Sequence, residues 1–251
     1  MKTATLIELQ AHLKALNLSN MARHLEVSLR QAKESGIDYD EFLLGLTGAE
    51  VQTRAENSLA RRIRDAKFPL IKTLETFDLS AVPDLDIRLI RELAGGDYIR
   101  EHRNVIFSGH SGAGKTHMAT ALGIQACKNS FRVRFVTCYG LANELIEARQ
   151  DKALQRIVQK YARYDLLILD ELGYIPFSKE GSELLFQVLA ERHERGSVLI
   201  TTNLGFADWT QVFGDPVLTA ALLDRLTHKA YIVHCNWESF RLKQSLKEKS
   251  K

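Results

Sequence analysis

The sequence GHSGAGKT, at residues 109–116, separates an apolar run, NVIFS, from a segment with helical composition. It fits the pattern G-x-x-x-x-G-K-[ST] in the order strand, loop and helix, which is the context that makes the pattern specific. A strand joined to a helix in this way is typical of parallel sheets, because parallel strands need a crossover connection and that connection is usually a helix. This feature therefore restricts the chain to an α/β fold.

Short β-rich runs alternate with helical stretches through the rest of the chain. They are NVIFS (104–108), RVRFVT (132–137), LLILD (166–170), SVLITT (197–202) and AYIVH (230–234). Runs that are apolar on both faces are expected where helices cover both sides of a parallel sheet. We predict a doubly wound α/β domain with a parallel sheet over residues 87–251.

Residues 1–67 contain no convincing strand, and their apolar side chains recur at helical spacing, which predicts a small all-helical N-terminal domain. Helical periodicity lapses from Phe68 to Asp86, a segment that carries two prolines, so we predict a linker there. The predicted helix boundaries are a cap at Ser19-Asn20, a stop at Gly36, a cap at Asp40 for a helix from Glu41 toward Lys67, and an interruption at Gly45 and Gly48.

The distribution of charged and metal-binding residues excludes several classes of protein. A charge precedes any apolar stretch of signal-peptide length and no membrane-spanning apolar run follows, so we expect a cytoplasmic protein without a membrane partner. Cys127, Cys138 and Cys235 are far apart, which argues against a disulfide framework or zinc site and predicts buried thiols. The histidines are scattered, so no metal site built from protein ligands alone is expected.

The glycine-rich loop is predicted to bind the phosphates of a nucleotide. Glycines allow the backbone to wrap closely around an anion, with successive N–H groups and a helix N-terminus pointing at it. Lys115 would reach the β- and γ-phosphates of ATP, and the Thr116 hydroxyl would bind Mg²⁺. A glycine-rich turn that binds nothing is the alternative. The predicted nucleotide-binding residues are Gly109, His110, Ser111, Gly112, Ala113, Gly114, Lys115, Thr116 and His117.

Two later strands are predicted to bring polar side chains to the same edge of the sheet. Asp170 and Glu171 follow the apolar run LLIL, at the carboxyl edge where open α/β sheets bind ligands. Asp170 is predicted to support Mg²⁺ and Glu171 to polarise the attacking water. The alternative is a solvated turn, although ionised carboxylates that end an apolar strand are costly without a cation. Asn203, after SVLITT, would bridge that water and the γ-phosphate, but asparagine also simply ends strands.

Taken in order, the phosphate loop, the strand ending in Asp-Glu, the strand ending in Asn and the later LLDRL resemble the AAA+ ATPases. The helical N-terminus with SGAGKTH, LLILDELGY, LITTNLGF and ALLDRLTHKAYIVHCNWESFR resembles the IstB/DnaC-like family among them, over essentially the whole chain. The resemblance implies an ATPase that assembles on DNA as a homo-oligomer, with ATP between adjacent subunits, and delivers target DNA to a transposase.

The resemblance also implies roles for individual residues. Arg225 in LLDRL matches the arginine finger, which reaches the γ-phosphate held by the neighbouring subunit and compensates charge that develops in phosphoryl transfer. Pairing with Asp224 or with a helix end is the alternative. Ser111 stands where relatives often have proline, a position of the loop that is free to vary. Few residues follow AYIVH, so we expect no C-terminal lid domain, and a nucleotide-sensing role for Arg241 is left open.

Basic residues between positions 145 and 164 suggest a path for DNA. If this segment is one helix, they fall within a sector of about 80°, and Leu154, Ile157, Val158 and Tyr161 lie on another sector that would pack against the sheet. This stripe would contact duplex DNA without sequence preference, and salt would weaken that binding. Its predicted residues are Arg149, Lys152, Arg156, Lys160 and Arg163. A solvated face balanced by Glu147 and Asp151 is the alternative.

Two further basic segments lie near the ends of the predicted domains. Arg61, Arg62 and Arg64, with Lys67, close the helical domain, and charges of one sign at this density suggest an anion nearby. The lysines at 243, 247, 249 and 251 are typical of a frayed end.

The sequence leaves several functions to be compared. The first is an ATPase that oligomerises on duplex DNA and assists a transposase. The second is a helicase loader, which would share the same ATPase core. A small-molecule kinase would need an acceptor pocket and an arginine-rich lid, and neither is evident. In a non-catalytic, ATP-gated scaffold Glu171 would be dispensable.

Overall fold

A computed structural model describes residues 3–77, 82 and 85–237 of the chain. The chain divides into two compact units, residues 1–61 and residues 62–251. The division lies within a helix, several residues before the predicted end of the helical domain at residue 67. Within the described residues, no helix is both long enough and apolar enough to span a membrane.

The first unit is helical, as the apolar spacing predicted. Its helices are α1 Thr3–Ala15, α2 Ser19–Ser35 and α3 Tyr39–Ala66, of which the last extends into the second unit. Met21, Leu25 and Leu46 form a small buried core between α2 and α3. The predicted stop at Gly36 is confirmed, because this residue closes α2 with φ of 65°, a conformation that favours glycine. The predicted interruption at Gly45 and Gly48 is wrong, since α3 continues through both.

The start of α2 differs from the sequence prediction of a Ser19-Asn20 cap. The helix begins at Ser19, and Leu18 at the capping position supplies no side-chain hydrogen bond. Instead the Glu50 carboxylate, on α3, accepts hydrogen bonds from the backbone N–H groups of Asn20 (2.9 Å) and Met21 (3.0 Å). The bond from Met21 is the main cause of the lowered pKa of Glu50. Similarly, α3 begins at Tyr39, so Asp40 lies in its first turn rather than at its cap.

The described residues of the second unit form a sheet of five strands in the order β2-β3-β4-β1-β5, with every neighbouring pair parallel. The strands are β1 Val105–Gly109, β2 Val133–Thr137, β3 Leu166–Leu172, β4 Ser197–Thr202 and β5 Tyr231–Cys235. Each predicted β-rich run is therefore confirmed, and the parallel sheet that the loop motif required is present.

Helices cover both faces of the sheet. They are α4 Ile87–Gly95, α5 Asp97–Arg100, α6 Lys115–Lys128, α7 Cys138–Gln150, α8 Leu154–Ala162, α9 Lys179–Arg192, α10 Trp209–Phe213 and α11 Pro216–Thr227. On β3, Leu167 and Leu169 belong to the core under α7–α11, whereas the Ile168 side chain faces Gly123 of α6. This alternation between two apolar layers confirms the doubly wound arrangement.

The start of the predicted linker packs on the second unit. The Phe68 ring lies edge-on to Phe135 at 6.2 Å and close to Gly123, and the Phe77 ring lies 5.0 Å from the His117 ring. Residues 78–81, 83 and 84 of the predicted linker lie outside the described residues.

The three cysteines are free and buried, as predicted. Burial raises the pKa of the Cys127 thiol to about 11 and that of Cys235 to about 12, so both stay protonated near neutral pH.

Candidate functional site

The glycine-rich loop lies at the carboxyl edge of the sheet, between the last residue of β1, Gly109, and the first residue of α6, Lys115. Gly112 and Gly114 have φ of 80° and 83°, values that residues with a Cβ rarely adopt. The loop therefore turns directly into the N-terminus of α6, where unpaired N–H groups and the helix dipole favour an anion. The strand, loop and helix predicted from the motif are confirmed.

Position 109 requires glycine for two reasons, its backbone conformation and its close contact with β5. Its φ is 152°, and a Cβ placed there would lie 2.1 Å from the carbonyl oxygen of Cys235, its partner in the β1–β5 pair. The loop therefore leaves the sheet at a point where two backbones are in contact. Only glycine permits that approach.

We expect Gly109→Ala to displace the start of the loop and to weaken ATP binding by about tenfold or more, or at least ~1.4 kcal/mol. Equilibrium titration with a fluorescent ATP analogue measures the affinity, and thermal melting reports the stability. Gly95→Ala is the matched control, because nothing lies within 4 Å of its Cβ position and its φ is ordinary. Unchanged ATP affinity in Gly109→Ala would contradict the need for this close approach.

The Lys115 ammonium is held against the loop. Its Nζ donates to the carbonyl oxygens of Gly109 (2.8 Å) and His110 (2.7 Å), so the charge lies beside the backbone that would wrap the phosphates. A flexible lysine positioned there could exchange a carbonyl for a phosphate oxygen, which is a stronger acceptor.

Thr116 and Asp170, the two predicted Mg²⁺ ligands, are in direct contact. The Thr116 hydroxyl donates to Oδ1 of Asp170 at 2.9 Å, and Asp170 is only 4% exposed. A hydroxyl and a carboxylate are oxygen donors, which Mg²⁺ prefers. A buried carboxylate is also costly without a compensating partner. The residues therefore fit the cation that the sequence predicted.

Glu171 and Asn203 are both exposed and follow Asp170 and Thr202 at the same edge of the sheet. Glu171 has φ of 62°, a conformation uncommon outside glycine, which points to a local constraint at this position. A Cβ placed on Gly173, two residues after Glu171, would lie 3.2 Å from the Asn203 side-chain oxygen. Asn203 therefore lies close to the segment that carries Asp170 and Glu171, at the carboxyl edge of the sheet.

Arg225 makes no hydrogen bond or ion pair with the phosphate loop among the residues that the structure describes. It lies in the last turn of α11, where its guanidinium donates to the Ala221 carbonyl (2.9 Å) and lies 5.0 Å from the centre of the Phe186 ring on α9. It makes no ion pair with Asp224 within the part of the chain that the structure describes. Its described contacts are therefore to α9 and to its own helix, not to Lys115, Asp170 or Glu171.

The single helix on which the predicted basic stripe of residues 149–163 was based is wrong. The segment forms α7 and α8, separated by a turn in which Lys152 has φ of 56°, so helical spacing does not carry across residues 151–153. The predicted packing of the apolar sector holds, since Val158 and Tyr161 are buried and Leu154 and Ile157 pack against the same core.

The basic residues themselves differ in their partners. Arg149 pairs with Glu180 at 3.5 Å, and Lys160 pairs with Glu144 at 2.9 Å, neither acid being one that the sequence suggested. Lys152, Arg156 and Arg163 are exposed, and among described residues they form no ion pair.

The second predicted basic segment is similarly mixed. Arg62 donates to the Cys127 carbonyl at the end of α6 (2.9 Å), whereas Arg64 makes a long contact of 3.7 Å with Asp65, and Arg61 is exposed. Arg241 and the lysines at 243–251 lie outside the described residues.

Three contacts to the loop were not apparent in the sequence. The buried Trp237 donates from its indole N–H to the Ala113 carbonyl (2.8 Å), and the hydroxyls of Ser111 and Tyr174 are 2.9 Å apart. The Phe77 ring lies beside Gly114, 2.9 Å from where a Cβ would be. All three link residues far apart in the chain, so no local pattern could have revealed them.

Comparison with known proteins agrees with this geometry. A family model described as IstB-like ATP binding protein matches residues 11–248. A relative from Pseudomonas aeruginosa, named as an ATP-binding protein of insertion sequence IS21, is 39% identical over 240 residues, which cover 96% of this chain and 91% of the relative.

Solved structures share the fold. The chain is similar to AMPPCP-bound DnaA from Aquifex aeolicus, with a TM-score of 0.54 and 20% identity, over 72% of this chain and 56% of that chain. It is also similar to the DnaC helicase loader, with a TM-score of 0.50 and 18% identity, over 72% of this chain and 98% of that chain. The chain thus matches little more than half of the DnaA structure but nearly all of the loader structure.

Proposed function

Because the chain belongs to the IstB-like ATP-binding protein family, we propose that it binds ATP together with Mg²⁺ and hydrolyses the ATP to ADP and phosphate. The observation that carries the proposal is the hydrogen bond between Thr116 and Asp170, which joins the phosphate loop to the acid-bearing strand. A loop that bound nothing would not need a buried carboxylate against its helix N-terminus.

Each residue of the cluster has a distinct task in this mechanism. Backbone N–H groups of the loop and the N-terminus of α6 hold the phosphates, and Lys115 moves from the loop carbonyls to the β- and γ-phosphates. Thr116 and Asp170 hold Mg²⁺, which when bound would neutralise negative charge on the phosphate oxygens. Glu171, on the open edge, polarises the attacking water, and Asn203 orients it.

Hydrolysis is proposed to require a second subunit. Arg225 lies on α11 with its guanidinium against Ala221 and Phe186, and among the described residues it makes no hydrogen bond or ion pair with residues 109–116. We infer that it acts on ATP bound to a neighbouring copy, so that nucleotide binding and oligomerisation are coupled. Charge that develops on the γ-phosphate would then be compensated only in the assembled form.

Duplex DNA is the proposed ligand of the assembled protein. Lys152, Arg156 and Arg163 are the best candidates for phosphate contacts, because they are exposed and form no ion pair with described residues. Arg149 and Lys160 must leave Glu180 and Glu144 before they bind a phosphate, so they should contribute less. Arg61 and Arg64, exposed near the end of α3, are separate candidates for phosphate contacts. The relatives are named for insertion sequences, which supports assistance to a transposase as the role of the DNA complex.

Replacing Lys152, Arg156 and Arg163 by Gln should weaken binding equally to duplexes of different sequence. It should also reduce the slope of log K against log salt concentration by up to ~2.7, or ~0.9 for each lost phosphate contact. Fluorescence anisotropy in a salt series, with two unrelated duplexes, measures both effects.

The matched control replaces Arg100, Arg132 and Arg195 by Gln, because these exposed arginines of the same unit are each held by an acid. A slope that stays the same in the first variant would place the DNA elsewhere. Co-purification of the full chain with a transposase of the same insertion sequence, and not with a replicative helicase, tests the proposed partner.

A further inference from the structure

Strands β3 and β4 go out of register at the site. Leu169 pairs with Ile200 and Leu172 pairs with Thr202, so Asp170 and Glu171 together lie opposite the single residue Thr201. Two residues opposite one define a β-bulge, which interrupts the ladder and redirects a side chain. Glu171, one of the two residues in the bulge, has a positive φ.

The Thr201 hydroxyl occupies the gap that the bulge opens. It donates to Oδ1 of Asp170 at 2.5 Å and accepts from the backbone N–H of Glu171 at 3.0 Å. A hydroxyl has one donor and two acceptor positions, so a single group can satisfy both contacts. Thr201 is 2% exposed. Its hydroxyl is thus a hydrogen-bond partner for the backbone N–H of Glu171, which the irregular ladder would leave unpaired.

Asp170 is consequently held on one oxygen by two hydroxyls. Oδ1 accepts from Thr116 on the loop side and from Thr201 on the β4 side, whereas no hydrogen bond from a described residue reaches Oδ2. Rotation of the carboxylate would break both bonds to Oδ1, so its orientation is fixed and Oδ2 is left available.

From this geometry we propose that Thr201 is a positioning residue for ATP hydrolysis, one hydroxyl setting both the carboxylate of Asp170 and the backbone of Glu171. Thr201 is buried and would act through the two acids that its hydroxyl contacts. The inference rests on the proposed ATPase function and adds to it the residue that couples its cation-binding and water-activating groups.

Thr201→Val tests the role, because valine has nearly the same shape as threonine and lacks the hydroxyl. We expect kcat to fall about 10- to 100-fold, the range typical when a residue that orients a metal ligand is lost. Affinity for ATP without Mg²⁺ should stay within about twofold of the wild type, and the gain in affinity on adding Mg²⁺ should shrink severalfold. Thr201→Ser, which keeps the hydroxyl, should recover most of kcat and of the Mg²⁺-dependent gain.

Thr219→Val is the matched control, since Thr219 is also 2% exposed and its hydroxyl donates to the carbonyl of Asp215, the residue that precedes α11. If Thr201→Val does not fold, Thr201→Ala gives the same comparison. The proposal is overturned if kcat and the Mg²⁺-dependent gain both stay near wild-type values, or if Mg²⁺-free ATP binding and melting temperature fall in parallel with kcat. A wild-type protein without turnover would refute the proposed function, and the Mg²⁺-dependent binding would still decide the role of Thr201.

Discussion

Replacing Glu171 by Gln should leave ATP bound and nearly stop its hydrolysis. The amide has the size of the carboxylate but cannot accept the proton of the attacking water, and loss of a general base typically costs 10²- to 10⁴-fold, so we expect turnover to fall by at least ~100-fold. ATP affinity should change less than about twofold, because Glu171 is exposed and its described hydrogen bonds, with Thr201 and Tyr174, are made by its backbone. Phosphate release and equilibrium binding of ATP are the two measurements.

The same variant tests whether hydrolysis releases DNA. If hydrolysis ends the ATP-bound state, Glu171→Gln should remain on duplex DNA much longer than the wild type when free ATP is removed. Glu183→Gln, the same change at an exposed position on α9, is the control and should behave as wild type. Equal release rates for Glu171→Gln and wild type would refute the switch, and unchanged turnover would favour an ATP-gated scaffold that does no chemistry.

Much of the fold was accessible from the sequence because its signals are local. Each strand is a short apolar run, and the sequence GHSGAGKT specifies a strand on one side and a helix on the other. The edge of the sheet that carries Asp170, Glu171 and Asn203 then follows from parallel topology, because all carboxyl ends lie on one side. Gly36 was similarly readable as a stop, since a left-handed residue at the end of a helix is most often glycine.

The errors arose where distant residues decide the local structure. Glu50, thirty positions along the chain, accepts the hydrogen bonds at the start of α2. The Ser19-Asn20 pair, which has the composition of a helix cap, therefore does not form the cap. Lys152 adopts a left-handed conformation that lysine does not favour, so its residue type does not predict the turn between α7 and α8. The regular spacing of the basic residues continues across that turn and made the segment resemble one helix. Thr201 reads as an ordinary β-branched strand residue until the bulge places two acids opposite it.

Replacing Arg225 by Ala should lower turnover by about 10³-fold or more, the range measured for arginines that complete a phosphoryl-transfer site. ATP binding by the single chain should persist, because the guanidinium contacts Ala221 and Phe186 and makes no hydrogen bond or ion pair with the described residues of the loop. Arg195→Ala is the matched control, since Arg195 is an exposed arginine of the same unit paired with Glu191. Equal melting temperatures for the Arg225→Ala variant and the wild type would exclude loss of packing against Phe186 as the cause.

Mixing Arg225→Ala with Glu171→Gln distinguishes action within a subunit from action across an interface. Neither variant alone should hydrolyse ATP, but in an equal mixture about a quarter of the interfaces would join an intact Glu171 to an intact Arg225 from the neighbour, if assembly is random. Turnover should therefore return to a substantial fraction of the wild-type value, and only at concentrations where the protein oligomerises. If no mixing ratio restores activity while both variants still co-assemble, Arg225 does not act on the neighbouring subunit, and the coupling between hydrolysis and assembly must be carried by another residue.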